Sequence, residues 1–286
     1  MTNKGSEDGV GVSKEGVRQG WSERAAAWRK WRRQHEAQTR AATEAIVTAA
    51  GVGPGLRVLD LASGTGEPAL TLAEAVGPGG QDTATDQAPE MLAVAEEEAR
   101  ARGLTNIAFR QGDAEALPFP DRSFDAVTCR FGIMFFPDPA RALREVRRVL
   151  APGGRAAFVA WGPLGRNPYF ATTWGILAGR AGLPLEDVAP DMFKFAQRGG
   201  LAALLEGAGF GGVREEAMTV PWPWPGRAEE VWERNRDSET ARKLIEQIPP
   251  ERREEAVDEV LATLRQRDDG RQVSFTATIV VASGVR

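Results

Sequence analysis

The feature that most constrains this chain is a strict alternation of strand-like and helix-like segments across residues 57–162. RVLDLA (57–62) is a short apolar run ending in the glycine loop Ser63-Gly64-Thr65-Gly66. QDTATD (81–86), NIAFRQ (106–111), FDAVTCR (124–130) and RAAFVAWG (155–162) also have the length and composition of strands. Helical spacing fills 67–75, 89–102 and 137–150, with Pro89 at a helix start. Strands joined through helices require right-handed crossovers and hence a parallel sheet. Helical spacing also runs from Trp21 to about Ala50, with Trp21, Trp28, Trp31, Ala42 and Ile46 near one face.

After Gly162 the pattern changes. About fifty mainly helical residues lead to two strands, GVREEAMTVPW (212–222) and RQVSFTATIVVA (271–282), separated by a charged helical segment over 227–269. Such a pair is expected to close the sheet edge antiparallel. The fold class is therefore α/β, Rossmann-like and doubly wound: a mostly parallel seven-stranded sheet with an antiparallel terminal strand pair and helical insertions. Residues 1–20, poor in large apolar groups, read as a flexible tail, and 21–286 as one domain.

Composition excludes several classes. The formal charge is only −4, with opposite signs interspersed, which gives no field for nucleic acid or an anionic membrane. The basic run Arg29-Lys30-Trp31-Arg32-Arg33 reads as the solvated face of a helix. Cys129 and His35 are each the only residue of their kind, so no intrachain disulfide and no Cys/His metal set can form. Cys129 reads as a small buried hydrophobe. No apolar stretch approaches the ~20 residues that span a bilayer, and the amino terminus lacks a signal-peptide pattern. A cytoplasmic protein acting on a small molecule is expected, with no metal, no nucleic acid and no stable membrane insertion; the sequence leaves its oligomeric state open.

The glycine loop carries the chemistry. Gly64 and Gly66 allow a sharp turn and close approach of the backbone to a ligand. Asp86, at the end of the next strand, lies 20 residues beyond Gly66, the spacing at which a carboxylate reaches the hydroxyls of an adenine nucleoside's ribose. A nicotinamide cofactor and S-adenosylmethionine both fit that much.

The surrounding residues discriminate. Asp60-Leu61-Ala62-Ser63-Gly64-Thr65-Gly66 resembles the first motif of class I S-adenosylmethionine-dependent methyltransferases, with Ala62 where glycine is usual. Asp86-Gln87-Ala88-Pro89-Glu90-Met91-Leu92 is similar to that family's second motif, and Gly112-Asp113-Ala114-Glu115-Ala116-Leu117-Pro118-Phe119 to its adenine-binding loop. Leu150-Ala151-Pro152-Gly153-Gly154 matches the turn before the fifth strand. The resemblance covers roughly 56–162. Phe131-Gly132 followed by Pro137-Asp138 looks closest to the ubiquinone/menaquinone-biosynthesis C-methyltransferases and their small-molecule relatives.

The resemblance implies roles. Asp86 takes the ribose hydroxyls, Asp113 and the Ala114 backbone the adenine edge, and Met91 the adenine face, though helical spacing alone makes Met91 a core residue. Asp60 organises the loop formed by Ala62, Ser63, Gly64 and Gly66; Gln87, Gly112 and Arg130 complete the cofactor set. Residues 21–50 supply a lid in which Trp21 and Trp28 cover the cofactor or pin a helix to the core; 51–162 form the cofactor-binding core, and 163–286 frame the acceptor. Phe131, Met134, Phe135, Trp161, Asn167 and Tyr169 are candidates for the acceptor pocket.

Methyl transfer from a sulfonium is an in-line displacement that alignment and desolvation accelerate. Where an acceptor must lose a proton, His35 is the candidate base, although its charged neighbours equally fit an exposed position. The reaction expected is methyl transfer from S-adenosylmethionine to an O, N or C atom of a small apolar or aromatic molecule. The alternatives are a quinone-biosynthesis C-methyltransferase, an NAD(P)-dependent oxidoreductase using Gly64-x-Gly66-x-x-Ala69, and a non-catalytic S-adenosylmethionine-binding protein.

Overall fold

A computed structural model describes residues 14–286. Residues 1–13, within the segment read as a flexible tail, lie outside the described residues. Residues 14–20 are helical instead: α1 (Lys14–Lys30) begins seven residues before Trp21, and α2 (Arg32–Ala50) follows it, ending on Gly51 in the left-handed region. Lys14 on the first turn of α1 pairs with Asp113 and Glu115, distant partners that local composition does not encode.

The core alternates as the spacing requires: β1 (Arg57–Leu61), α3 (Ala69–Val76), β2 (Gln81–Asp86), α4 (Pro89–Ala101), β3 (Ile107–Gln111), β4 (Phe124–Arg130), α5 (Pro139–Val149) and β5 (Leu150–Trp161). Proline opens both α4 and α5, and the Asp138 side chain caps α5 by accepting from the Arg141 N–H. Then come α6 (Pro168–Ala181), α7 (Gly200–Gly207), β6 (Gly211–Pro225), α8 (Ala228–Arg236), α9 (Glu239–Gln247), α10 (Arg253–Arg265) and β7 (Gln272–Val285). The seven-stranded sheet has the order β3-β2-β1-β4-β5-β7-β6. Strands β1 to β5 pair in parallel, while β7 runs antiparallel to β5 and β6 antiparallel to β7. Val58, Leu59, Val127, Ala157 and Phe158 are fully buried in the sheet centre, with Ala42 and Ile46 of α2 in the same apolar cluster. Those two positions lie four apart, the spacing of one helix face.

Two details of the added strands position the site. β6 ends Pro221-Trp222-Pro223-Trp224-Pro225, paired one-to-one with β7 from Gln272 to Thr276. Proline has no N–H for a ladder, so the three prolines take the positions whose nitrogens face away from β7. Trp222 and Trp224 then point together to the buried face, 3% and 8% exposed.

Asn167, just after β5, is 1% exposed and donates to the carbonyls of Gly162, Pro163 and Thr278 while its oxygen accepts from the Thr278 N–H. Its amide clamps the end of β5 to β7, so this pocket candidate is bonded wholly to backbone. Asn167→Ala should lower the free energy of urea unfolding by about 2–3 kcal/mol, through the buried groups it leaves unpaired. A change within 0.5 kcal/mol, the usual range for surface substitutions, would refute the clamp.

Candidate functional site

Strand order reverses between β1 and β4, and the crevice beyond their carboxyl ends is where open α/β sheets bind ligands. Two non-glycine residues with positive φ flank it: Ala62 (+52°) after β1 and Phe131 (+57°) after β4. Such conformations concentrate at functional sites. The two turns interlock, because a Cβ on Gly132 would come within 2.6 Å of the Ala62 Cβ and 2.7 Å of Cys129 Sγ.

The glycine loop divides its labour. Gly64, at φ +54°, has open space where a side chain would stand, and its N–H donates to Asp86 Oδ2 at 3.0 Å. Gly66 serves packing instead: a Cβ there would meet Leu70 at 2.8 Å and Ala95 at 3.3 Å. The Ser63 hydroxyl donates to the Thr85 carbonyl, tying the loop to β2. Asp86 Oδ1 accepts from the Ala88 N–H at 2.9 Å, so the acid is fixed between the glycine loop and the start of α4. Burial raises its pKa while these N–H groups oppose the rise. Asp60 is wholly buried and faces inward, accepting from Thr128 Oγ1 at 2.6 Å. Burial pushes its carboxyl up to about 7. It supports the loop from beneath.

Arg130, at the end of β4, donates from Nη1 to the Thr39 and Thr43 hydroxyls of α2 and from Nη2 to the Glu67 carbonyl at 2.7 Å. Its Nε is buried without a partner. The guanidinium thus joins α2, β4 and the lead-in to α3.

The second face of the crevice is covered by α1. Trp21, Ala25 and Trp28 pack with Ala88 and Met91, the residues following Asp86, and Met91 is 1% exposed. Trp21 also meets the edge of Phe135 at 5.3 Å. Lys14 pairs with Asp113 Oδ2 at 2.7 Å and with Glu115 at 2.5 Å. Asp113 Oδ1 accepts from the Glu115 N–H, while Glu115, 3% exposed, also accepts from the Asp138 N–H. Gly112 donates to the Asp86 carbonyl, the Gln87 carbonyl accepts from Gln111, and Ala114 packs partly buried against the core. The basic run pairs with acids: Arg29 with Glu97, Lys30 with Asp237, and Arg32 with Glu98.

An aromatic wall leads away from the switch point. Phe131 stacks on Trp161 at 4.5 Å, Trp161 meets Trp222 at 4.9 Å, and Tyr169 stacks on Trp224 at 3.8 Å. With its amide turned to match its surroundings, Gln38 of α2 accepts from both the Trp222 and Trp224 indole N–H groups at 3.0 Å. Met134 belongs to the core and is 1% exposed; Phe135 faces Trp21 of α1. His35 packs against Trp28 at 4.4 Å, with Nδ1 buried and unpartnered. It is half-buried rather than exposed, and burial together with the charges of Arg234 and Arg130 lowers its pKa to about 3. The imidazole is neutral at physiological pH and a poor proton acceptor. Lys14, Gln38 and Arg234 were not singled out from the sequence, whereas the Trp222–Pro225 run stood out without deciding between pocket, interface or neither; the helical spacing of Gln38 with Ala42 and Ile46 is the one signal that bears on the other three.

Between pH 3.8 and about 7 the folded state keeps a proton on Asp60 that the unfolded chain releases. This group therefore withdraws stability as pH rises through that window and has no further effect above it. Asp60→Asn should melt increasingly above the parent protein from pH 4 to 7, with a constant difference beyond. Thermal unfolding followed by circular dichroism checks this; a pH-independent difference would contradict the raised pKa. In the same assay Gly132→Ala should cost about 1–3 kcal/mol, partly recovered in the double variant with Ala62→Gly.

Comparison with known proteins agrees with this geometry. The ubiE/COQ5 methyltransferase family matches residues 31–169. A demethylmenaquinone methyltransferase of Thermus thermophilus is 52% identical over 107 residues, covering 37% of this chain and 48% of the relative. A ubiquinone/menaquinone biosynthesis C-methyltransferase of Shewanella sediminis is 44% identical over 110 residues, covering 38% and 44%. The chain thus spans about half the length of the curated relatives it matches. The YcgJ protein of Bacillus subtilis superposes with a TM-score of 0.57 at 25% identity, over 86% of this chain and 98% of that one. Residues 31–169 are thus similar to the ubiE/COQ5 methyltransferase family, and the mixed seven-stranded α/β fold built around them is shared with YcgJ.

Proposed function

We propose that the protein transfers a methyl group from S-adenosylmethionine to an O, N or C atom of a small aromatic or apolar molecule. The observation that carries this reading is the crevice at the switch point, where Asp86 and the open side of Gly64 adjoin an aromatic wall beginning at Phe131. The bound cofactor supplies a methyl on a sulfonium, a leaving group that needs no covalent enzyme intermediate. Asp86 would accept the ribose hydroxyls, Asp113 and the Ala114 backbone would meet adenine, and Arg130, through its unpartnered Nε, would meet the methionine carboxylate. Trp21 and Trp28 exclude water, and the wall aligns the acceptor. His35, half-buried and neutral beside two guanidiniums, is packed against Trp28 rather than poised as a base.

A quinol acceptor is the second reading, favoured by the names of the two curated relatives. Trp222 and Trp224 lie beyond the matched segment, however, so the relatives' names do not reach that part of the wall. The reading sets the reaction in the cytoplasm, and no helix among the described residues is long and apolar enough to cross a membrane.

Calorimetric titration with S-adenosylhomocysteine, beside NADH as a control, tests the cofactor. Binding of S-adenosylhomocysteine alone is expected, and Asp86→Ala should weaken it at least about tenfold through loss of charge-assisted hydrogen bonds. Unchanged affinity would remove Asp86 from the site. Transfer of labelled methyl to quinols and phenols then separates an enzyme from a protein that only binds.

A further inference from the structure

A strongly buried cation that the site above leaves unexplained is Arg234, on α8. It is 5% exposed, and both Nε and Nη2 are buried with no hydrogen-bond partner. Among the described residues no carboxylate forms an ion pair with it, and burial lowers its pKa to about 10. Its guanidinium lies 4.3 Å from the centre of the Trp224 ring, which disperses some charge but satisfies no N–H group. A buried cation without a hydrogen-bonded counter-charge is costly, so its occurrence calls for a partner.

The geometry of the orphan donors says which partner. Nε and Nη2 form one edge of the guanidinium, the fork that grips two oxygens at once. The same protein uses that edge on carboxylates elsewhere. Arg57 donates from Nε and Nη2 to the two oxygens of Asp125 at 3.1 and 2.8 Å, and Arg148 likewise to Glu145 at 2.8 and 2.7 Å. In Arg234 the fork is buried and unfilled.

Its place in the fold is the far end of the aromatic wall. Trp224 carries both Arg234 and the stacked Tyr169, whose hydroxyl is also buried and unpartnered. Gln38 links Trp224 to Trp222, and Trp222 continues through Trp161 to Phe131 at the switch point. The charges of Arg234 and Arg130 both act on His35, so the imidazole lies within reach of each guanidinium.

We propose that the methyl acceptor is an aromatic molecule bearing a carboxylate, gripped by the Arg234 fork while its ring lies along the wall from Tyr169 toward Phe131. This deepens the methyl-transfer reading and rests on it for the reaction, but not for the ligand's charge.

The test uses 2-naphthoate and its uncharged counterpart 2-naphthamide as probes of the full-length protein, titrated calorimetrically with and without S-adenosylhomocysteine. Naphthoate should bind at least about tenfold more tightly than the amide and raise the melting temperature, which the amide should not. Arg234→Met should abolish the preference and leave S-adenosylhomocysteine affinity unchanged. Its own melting temperature should equal or exceed that of the parent, because an uncompensated charge has been removed. Arg234→Lys, which keeps the charge and loses the fork, should retain only part of the preference. Equal binding of the two probes, no binding of either, a preference surviving in Arg234→Met, or destabilisation of that variant would each overturn the proposal. Absence of S-adenosylhomocysteine binding with the naphthoate preference intact would instead overturn the methyl-transfer reading alone.

Discussion

The Arg130 guanidinium is the interaction on which the arrangement of the site depends. It sits where strand order reverses, and it holds together three elements distant in sequence: α2 through Thr39 and Thr43, the approach to α3 through the Glu67 carbonyl, and β4 from which it projects. Glu67, Asp60 and Glu36 offset its charge. Removing Arg130 would leave the Thr39 and Thr43 hydroxyls and the Glu67 carbonyl without this partner, so crevice geometry and fold stability are coupled. The neighbouring turns at Ala62 and Phe131 hold unfavourable backbone conformations that this framework keeps in place.

The core was legible because parallel strands, buried on both faces, are near-continuous apolar runs punctuated by Gly and Pro. QDTATD and FDAVTCR are strands over the residues read from the sequence, and β6 and β7 pair antiparallel. The strand from Arg155 begins earlier, at Leu150, because Pro152-Gly153-Gly154 forms an irregularity within the pairing rather than a turn before it. Spacing and motif singled out Asp86 and Gly64, which the structure joins by a hydrogen bond, and Trp21 and Trp28, which pack against Ala88 and Met91. Gly66 was also found, but its reason lies in helix packing, which spacing cannot distinguish from ligand approach.

What escaped was burial that depends on tertiary context. Ala228–Arg236 reads AEEVWERNR, an alternation of charges that describes a solvated helix. Ala228, Val231, Trp232 and Asn235 nevertheless form its buried face, and Arg234 is carried in beside them. Lys14 was similarly hidden in a polar stretch, since its partners Asp113 and Glu115 lie about a hundred residues away. The single histidine drew attention by its chemistry, yet its burial and then the charges of Arg234 and Arg130 decide its protonation.

The proline–tryptophan alternation that ends β6 has a consequence beyond the site. The outermost strand of a sheet ordinarily offers free amide hydrogens to any extended segment that drifts alongside it. Pro221, Pro223 and Pro225 remove those hydrogens along the last five residues of that border, while the tryptophans between them turn inward as wall. One pentapeptide therefore supplies two rings of the aromatic wall and limits what can zip onto the sheet, so that a substitution such as Pro223→Thr would open an adhesive rim beside that wall.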